Sequence, residues 1–445
     1  MIMNRNKFSL LVFTLYLFFI PLSIHAQIEK KLQFPITQYT LKNGLRVILS
    51  EDGYLPLVSV VIAYNVGSIY EKDGKPGLAY MLENLMFQGS RNVGRMQHIN
   101  FIHRIGGEFN AMTTESKTFF YQTVPSNQLS LVLWLESDRM NSLDINASKV
   151  EQSKNTLIEE VIRRKELDPY LESSLYFDKL LFSDSDYSHP VIGEEEDIEK
   201  ITVEDVKKFY SRYYTPDNAV ICIIGDIEKN RTIELVKKYF KTIPNTKEVP
   251  NSPPLKPIKT KGMEINLENY LASLPGFYLG YRVSPPYSDD YYTLSIIEYI
   301  LLRGKSSRLY NRLMKKDRTA FRLTGGIEEK KDLAVFKIFV LNNNELVKEI
   351  SQKAIFSEIN KLKSNLVSEK ELKKAKNIFR RDYINQYSTP LNKALFLTDA
   401  LLSGIDLDDL WDELNKFLSV KSTDIIGIAN RYFTDERILL NIKLK

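Results

Sequence analysis

The chain has 445 residues, 43% of them apolar and 26% charged. That is ordinary globular composition, which excludes disorder, collagen and coiled coil as the main organisation and suits two or three domains. Lysine and arginine total 61 against 56 aspartates and glutamates, a net charge of +5 with both signs mixed along the chain. A balance this weak describes a solvated surface, so no nucleic-acid partner is expected. The single cysteine, Cys222, excludes an intrachain disulfide framework and a multi-cysteine metal site.

Residues 1–26 read as a signal peptide. Arg5 and Lys7 precede an apolar run from Phe8 to Ile24, and the small Ala26 stands before Gln27. A basic start, an apolar run and a small residue are the three parts of a secretory signal. The run is near the lower limit for a membrane anchor, but Pro21 and the short polar exit favour cleavage. No cysteine adjoins the cleavage point, so lipid attachment there is excluded. The mature chain is expected outside the cytoplasm, in a periplasm, with no membrane span after signal removal.

Residues 27–240 are expected to form the first domain. Leu41–Leu49 contains Asn43-Gly44, a strong hairpin-turn signal. Val58–Val66 and Ala219–Ile224 read as strands, and Val150–Arg164 has helical periodicity. Cys222 then sits in an apolar strand as a small hydrophobe. Residues 241–262 contain Pro244, Pro250, Pro253, Pro254 and Pro257 and few bulky apolar residues. Proline fixes φ and removes a donor, so this is expected to be a semi-rigid spacer that sets two halves apart around a chamber.

Residues 263–445 are expected to form a second, homologous domain. Asp205-Val206 and Arg212-Tyr213-Tyr214-Thr215 recur as Asp424-Ile425 and Arg431-Tyr432-Phe433-Thr434, offset by 424 − 205 = 219 residues. A repeat this long means duplication, not a solenoid. Gly276–Val283, Val335–Leu341 and Ile438–Ile442 read as strands. Ser368–Tyr383 reads as a helix opened by a capping box of Ser368 and Glu371. The expected fold is α+β: two homologous domains, each a mostly antiparallel sheet with helices packed on one face, joined by a Pro-rich linker.

The segment from Gly77 to Ser90, GLAYMLENLMFQGS, resembles the insulinase/pitrilysin family of zinc peptidases. Further segments match that family in order: Gly106–Ala111, Thr118–Tyr121, Glu159-Glu160-Val161, His189–Gly193, Tyr214–Ala219, Gly225-Asp226 and Ser306–Tyr310. The likeness covers essentially the whole mature chain and points to the short, processing-peptidase-like branch. Active members carry H-x-x-E-H, in which two histidines bind zinc, the glutamate between them is the general base, and a glutamate on a later helix is the third ligand.

Carried over onto this sequence, the ligand positions are Tyr80, Asn84 and Glu160, and the base position is Glu83. Both histidines are replaced. Tyrosine is a poor zinc ligand unless deprotonated, and asparagine offers only a neutral carbonyl. The expected arrangement is a hydrogen-bonded Tyr80–Asn84 pair filling the old site, with Glu83 idle and no cofactor. His98 and His103 are five apart and do not share a helical stripe, and His189 belongs to a loop, so a rebuilt site is not expected. Active relatives also hold the substrate backbone with an arginine and a tyrosine in the second half. Met314 and Phe321 stand there and cannot donate a hydrogen bond to a peptide carbonyl.

The resemblance further implies a peptide-binding edge strand at Gly106–Ala111, with Gly107, Asn110 and Ala111 as contact residues for an extended peptide. A hairpin turning at Gly106-Gly107 is the alternative. The expected function is a non-catalytic homologue that pairs with an active family member as a heterodimer and helps form a peptide-binding chamber. The alternatives are an active zinc metalloendopeptidase with unusual ligands, whose cofactor would be zinc, and a stand-alone extracytoplasmic peptide-binding protein.

Overall fold

A computed structural model describes residues 34–71, 74–183, 185–246 and 262–445. The expected signal peptide and most of the Pro-rich linker lie outside these residues.

Eleven strands form two sheets among the described residues. The first contains β1 (Thr37–Thr40), β2 (Arg46–Glu51), β3 (Leu57–Tyr64), β4 (Glu108–Thr113), β5 (Thr118–Pro125) and β6 (Ala219–Gly225), in the order β1-β2-β6-β3-β5-β4. The second contains β7 (Met263–Asn269), β8 (Gly276–Val283), β9 (Ala320–Glu329), β10 (Ala334–Asn342) and β11 (Ile438–Leu444), in the order β7-β11-β8-β10-β9. Each has one parallel pair, β2 with β6 and β7 with β11, and is otherwise antiparallel. Omit β1 and the two orders match strand for strand. The duplication is thus a duplication of topology. The hairpin at Asn43-Gly44 is present, with Gly44 at φ 92° and Asn43 Nδ2 donating to the carbonyls of Phe240 (2.8 Å) and Ile243 (3.0 Å).

In each half, all but one of the long helices that pack on a sheet cover one face of that half's own sheet. The other face is not left open. β3 and β6 are apolar at nearly every position, the pattern of strands buried on both sides. Val60, Ile62 and Tyr64 of β3 face the first half's helices, whereas Val61 and Ala63 meet Ala394, Leu397 and Ala400 of the Pro390–Leu402 helix from the second half. The exchange is reciprocal. Phe177 and Leu181 of the Leu171–Leu181 helix pack on the second sheet, where Phe177 stacks on Tyr278 at 5.1 Å. A Cβ at Gly280 of β8 would lie 2.8 Å from Leu181 Cδ2, so glycine permits this approach. These two helices begin 390 − 171 = 219 residues apart, the repeat offset itself. The expectation of halves held apart by the linker is therefore corrected: they are in direct contact, because both-sided apolar strands need cover that one half alone does not supply.

Candidate functional site

The Leu78–Leu85 helix buries Leu78, Met81, Leu82 and Leu85, which turns Tyr80, Glu83 and Asn84 toward the half-buried opposite side. Its start is fixed by a residue that sequence reasoning missed. Gly77 has φ 93°, and the Glu71 carboxylate accepts the backbone N–H groups of Gly77 (3.0 Å) and Ala79 (2.7 Å). It thereby satisfies donors that a helix start leaves free. Burial raises the Glu71 pKa well above the usual carboxylate range, although those N–H bonds pull it down.

Glu160 comes from the Ala147–Leu167 helix, whose N-cap Asn146 accepts from the Lys149 N–H. Tyr80 Oη donates to Glu160 Oε1 at 3.1 Å. Arg164, one turn beyond Glu160, donates through Nη2 to that same oxygen at 2.5 Å and to Tyr80 Oη at 3.2 Å. Burial, and then the Glu160 charge, push the Tyr80 pKa up to about 12. The phenol therefore keeps its proton at neutral pH.

The remaining two positions are also engaged. Ser153 Oγ donates to Asn84 Oδ1 at 2.9 Å. The expected Tyr80–Asn84 pair is thus corrected: each bonds to the Ala147–Leu167 helix, which offers a carboxylate to one and a hydroxyl to the other. Glu83 accepts from the Thr113 hydroxyl at the end of β4. Burial raises its pKa, the Thr113 bond opposes that, and the nearby Glu160 charge adds to it. Glu159 is exposed on the far side of its helix.

This donor set does not fit a zinc ion. A zinc site needs three protein ligands with free electron pairs. Here one position is a protonated phenol, one is an amide already bonded to a hydroxyl, and Glu160 is bound by a guanidinium that supplies the positive charge itself. Among the described residues, no group of three or more His, Cys, Asp and Glu side chains is placed to hold a metal. His98 is buried against Gln122 (3.3 Å), and His103 packs on the Phe109 ring at 5.5 Å. His189 lies 4.0 Å from Glu71 in its loop, so the three histidines do not converge on Glu160.

β4 is the outer strand of the first sheet and pairs only with β5 among the described residues. Phe109, Ala111 and Thr113 are half-buried, and Glu108, Asn110 and Met112 alternate with them as exposed positions. The Ala111 N–H donates to Asn110 Oδ1 at 2.9 Å and so is turned away from β5, toward the free edge. Gly106-Gly107 is not a hairpin turn. It joins the Gln97–Arg104 helix to β4, and the β4–β5 turn is at residues 114–117. A Cβ on Gly107 would meet Val124 Cγ1 at 2.7 Å, a packing reason for this glycine.

The second-half positions stand apart. Met314 lies in the π-helical turn Tyr310–Lys316 and packs on the second core, and Phe321, at the start of β9, is 64% exposed. No hydrogen bond, ion pair or ring contact joins either to the Tyr80 cluster among the described residues. The Ser368 half of the capping box is made at 3.3 Å, but Glu371 is drawn away to a two-pronged bond with Arg308 (2.9 and 2.8 Å).

Comparison with known proteins agrees with this architecture. The family description "Insulinase (Peptidase family M16)" matches residues 46–180, and "Peptidase M16 inactive domain" matches residues 200–379. The chain is 32% identical over 405 residues to "Zinc protease PqqE" of Helicobacter pylori, covering 89% of this chain and 90% of that protein. A crystal structure of a protease from Helicobacter pylori superposes with a TM-score of 0.86 at 29% identity, over 92% of this chain and all (100%) of that one. The periplasmic protease PqqL of Escherichia coli shares the fold, with a TM-score of 0.76 at 17% identity over 92% of this chain and 47% of that one.

Proposed function

We propose that this chain, which belongs to the insulinase (M16) peptidase family, is a non-catalytic member that captures extended peptides and pairs with an active homologue. The observation that carries the reading is the bond from Arg164 to both Tyr80 and Glu160. A fixed organic cation fills the electrostatic role that a metal has in the family, and it cannot activate water as a Lewis acid does. What remains usable is the free edge of β4. Strand addition needs only backbone donors and acceptors, so it survives the loss of catalysis.

The partner is expected to be a chain with an intact H-x-x-E-H motif, and a stable interface of that kind buries at least about 1,000 Å² in total. The compartment is proposed to be extracytoplasmic. No helix among the described residues is long and apolar enough to cross a membrane, and the leader has the three parts of a secretory signal.

The test is isolation of the native protein from its source at near-physiological concentration. A second family member recovered with it in a fixed ratio supports the pairing. A lone monomer that still binds extended peptides removes the pairing and leaves the stand-alone binding protein.

A further inference from the structure

One feature that this reading leaves unused is a cavity of about 760 Å³ between the two halves. Its walls come from β4 and β5 of the first sheet, from the end of β9, and from the second half's helices Asp289–Leu301, Glu369–Asn385, Pro390–Leu402 and Leu410–Ser419. Thr113 bonds Glu83 on one side of β4, whereas its neighbours Met112 and Thr114 line this cavity. Successive side chains of a strand point to opposite faces, so the cavity lies across the sheet from the Tyr80 cluster.

The lining has a marked chemistry. It holds five carboxylates, Glu298, Glu329, Asp382, Asp399 and Glu413, against one basic residue, Arg303. Arg303 is paired with Glu298, and Asp399 is bonded by Lys117 at 2.6 Å. Phenols donate to the other three, and Arg381 also holds Asp382 through Nε (2.9 Å) and Nη2 (2.7 Å). Tyr291 donates to Glu329, Tyr383 to Glu413 at 3.0 Å and Tyr299 to Asp382 at 3.1 Å. A phenol orients a carboxylate without neutralising it. Glu329 and Glu413 have no ion-pair partner among the described residues; Glu413 is buried, only 6% exposed, whereas Glu329 is exposed at the end of β9. Desolvation raises both pKa values above their ordinary value, and a cation bound there would offset that cost. The rings of Phe379, Tyr383, Phe396 and Phe417 stand in the same wall.

We infer that this cavity binds an organic cation, an ammonium or guanidinium group, between its aromatic rings and its phenol-held carboxylates. Ring faces attract cations, and the attraction grows where water is excluded. The volume is in the range of small-ligand pockets. Arg303 and Asp382, with side chains 50% and 35% exposed, connect the cavity to solvent. The same head group is found on a small free amine and on a lysine or arginine side chain of a peptide. The inference does not depend on the pseudopeptidase reading.

Isothermal titration calorimetry of the full mature chain at pH 8 tests it. The probes are cadaverine, a blocked heptapeptide with one central arginine, and the same peptide with alanine there. Binding of cadaverine or of the arginine peptide, without the alanine peptide, is expected, and which of the two binds identifies the source. Glu413→Gln should weaken that binding at least tenfold, and Glu268→Gln on the surface should not change it. Where Glu413→Gln fails to fold, Glu329→Gln replaces it with the same expectation. The inference is overturned if neither cation binds, if the alanine peptide binds equally well, or if a folded Glu413→Gln or Glu329→Gln variant binds as the parent does.

Discussion

Arg164 Nη2 lies 3.2 Å from the hydroxyl of Tyr80, and the same nitrogen reaches the carboxylate that Tyr80 also holds. Three groups from two helices thus share one proton-rich, cation-containing knot at the positions where active relatives have metal ligands. Its consequence is that replacing the two lost histidines is not enough.

Tyr80→His with Asn84→His supplies two imidazoles beside Glu160, but leaves the guanidinium facing them. Like charges at about 4 Å repel by about 4 kcal/mol at an effective dielectric near 20, and exposure of the Arg164 side chain (46%) reduces this. Adding Arg164→Ala to the double variant should therefore strengthen zinc binding by tenfold or more, read by competition with a chromophoric chelator. Equal affinity of the double and triple variants would show that Arg164 does not guard the site.

The edge of β4 gives a second expectation. The Ala111 N–H is not used by β5, so Ala111→Pro removes an outward donor while sparing the ladder. The melting temperature should change little, and capture of an extended peptide should fall at least tenfold by fluorescence anisotropy. Asn110→Ala, which frees the same N–H, should strengthen capture. Unchanged binding in both variants would move the peptide site elsewhere.

Glu413 makes stability depend on pH with a definite sign. Burial, then the Glu329 charge, raise its pKa to about 7 from 4.5, against the Tyr383 bond and Lys416. A carboxyl with a raised folded pKa binds more protons folded than unfolded between those values, so stability falls as pH rises from about 4.5 to about 7. The upper bound on this cost is about 3 kcal/mol. Glu413→Gln keeps an acceptor for Tyr383 and removes the charge. It should melt higher than the parent at pH 8 and nearly equal to it at pH 5. A constant difference across that range would contradict the assignment.

The crossed helices can be tested by packing. Leu397 is fully buried between the Pro390–Leu402 helix and the first sheet. Leu397→Ala should cost about 2–5 kcal/mol in chemical denaturation. A cost well under 1 kcal/mol would mean that the halves do not stabilise each other through this contact.

Much of this was legible in the sequence, and the exceptions have physical reasons. The Asn43-Gly44 turn, the strands Gly276–Val283 and Ala219–Ile224, and the repeat offset all follow from local pattern, which strands and turns obey closely. The four positions Tyr80, Glu83, Asn84 and Glu160 do come together, because they belong to a frame of helices set by spacing. Their hydrogen bonds were misassigned, because partners across helices depend on side-chain reach. Arg164 belongs to none of the motifs, yet its place one turn after Glu160 is a usable signal for an ion pair. The exchange of the Leu171–Leu181 and Pro390–Leu402 helices could not be read locally, since an apolar stripe does not say which sheet it covers. The acidic, aromatic cavity is assembled from five separated segments and has no local signature at all.

The central claim is that the knot of Tyr80, Glu160 and Arg164 replaces the metal. It is tested most directly by the zinc content of the purified mature chain after equilibration with micromolar free zinc and gel filtration, measured by mass spectrometry of the elements. The account predicts far less than one zinc per chain and no change on Glu160→Gln. One tightly held zinc per chain, lost on Glu160→Gln and accompanied by chelator-sensitive peptide cleavage, would contradict it.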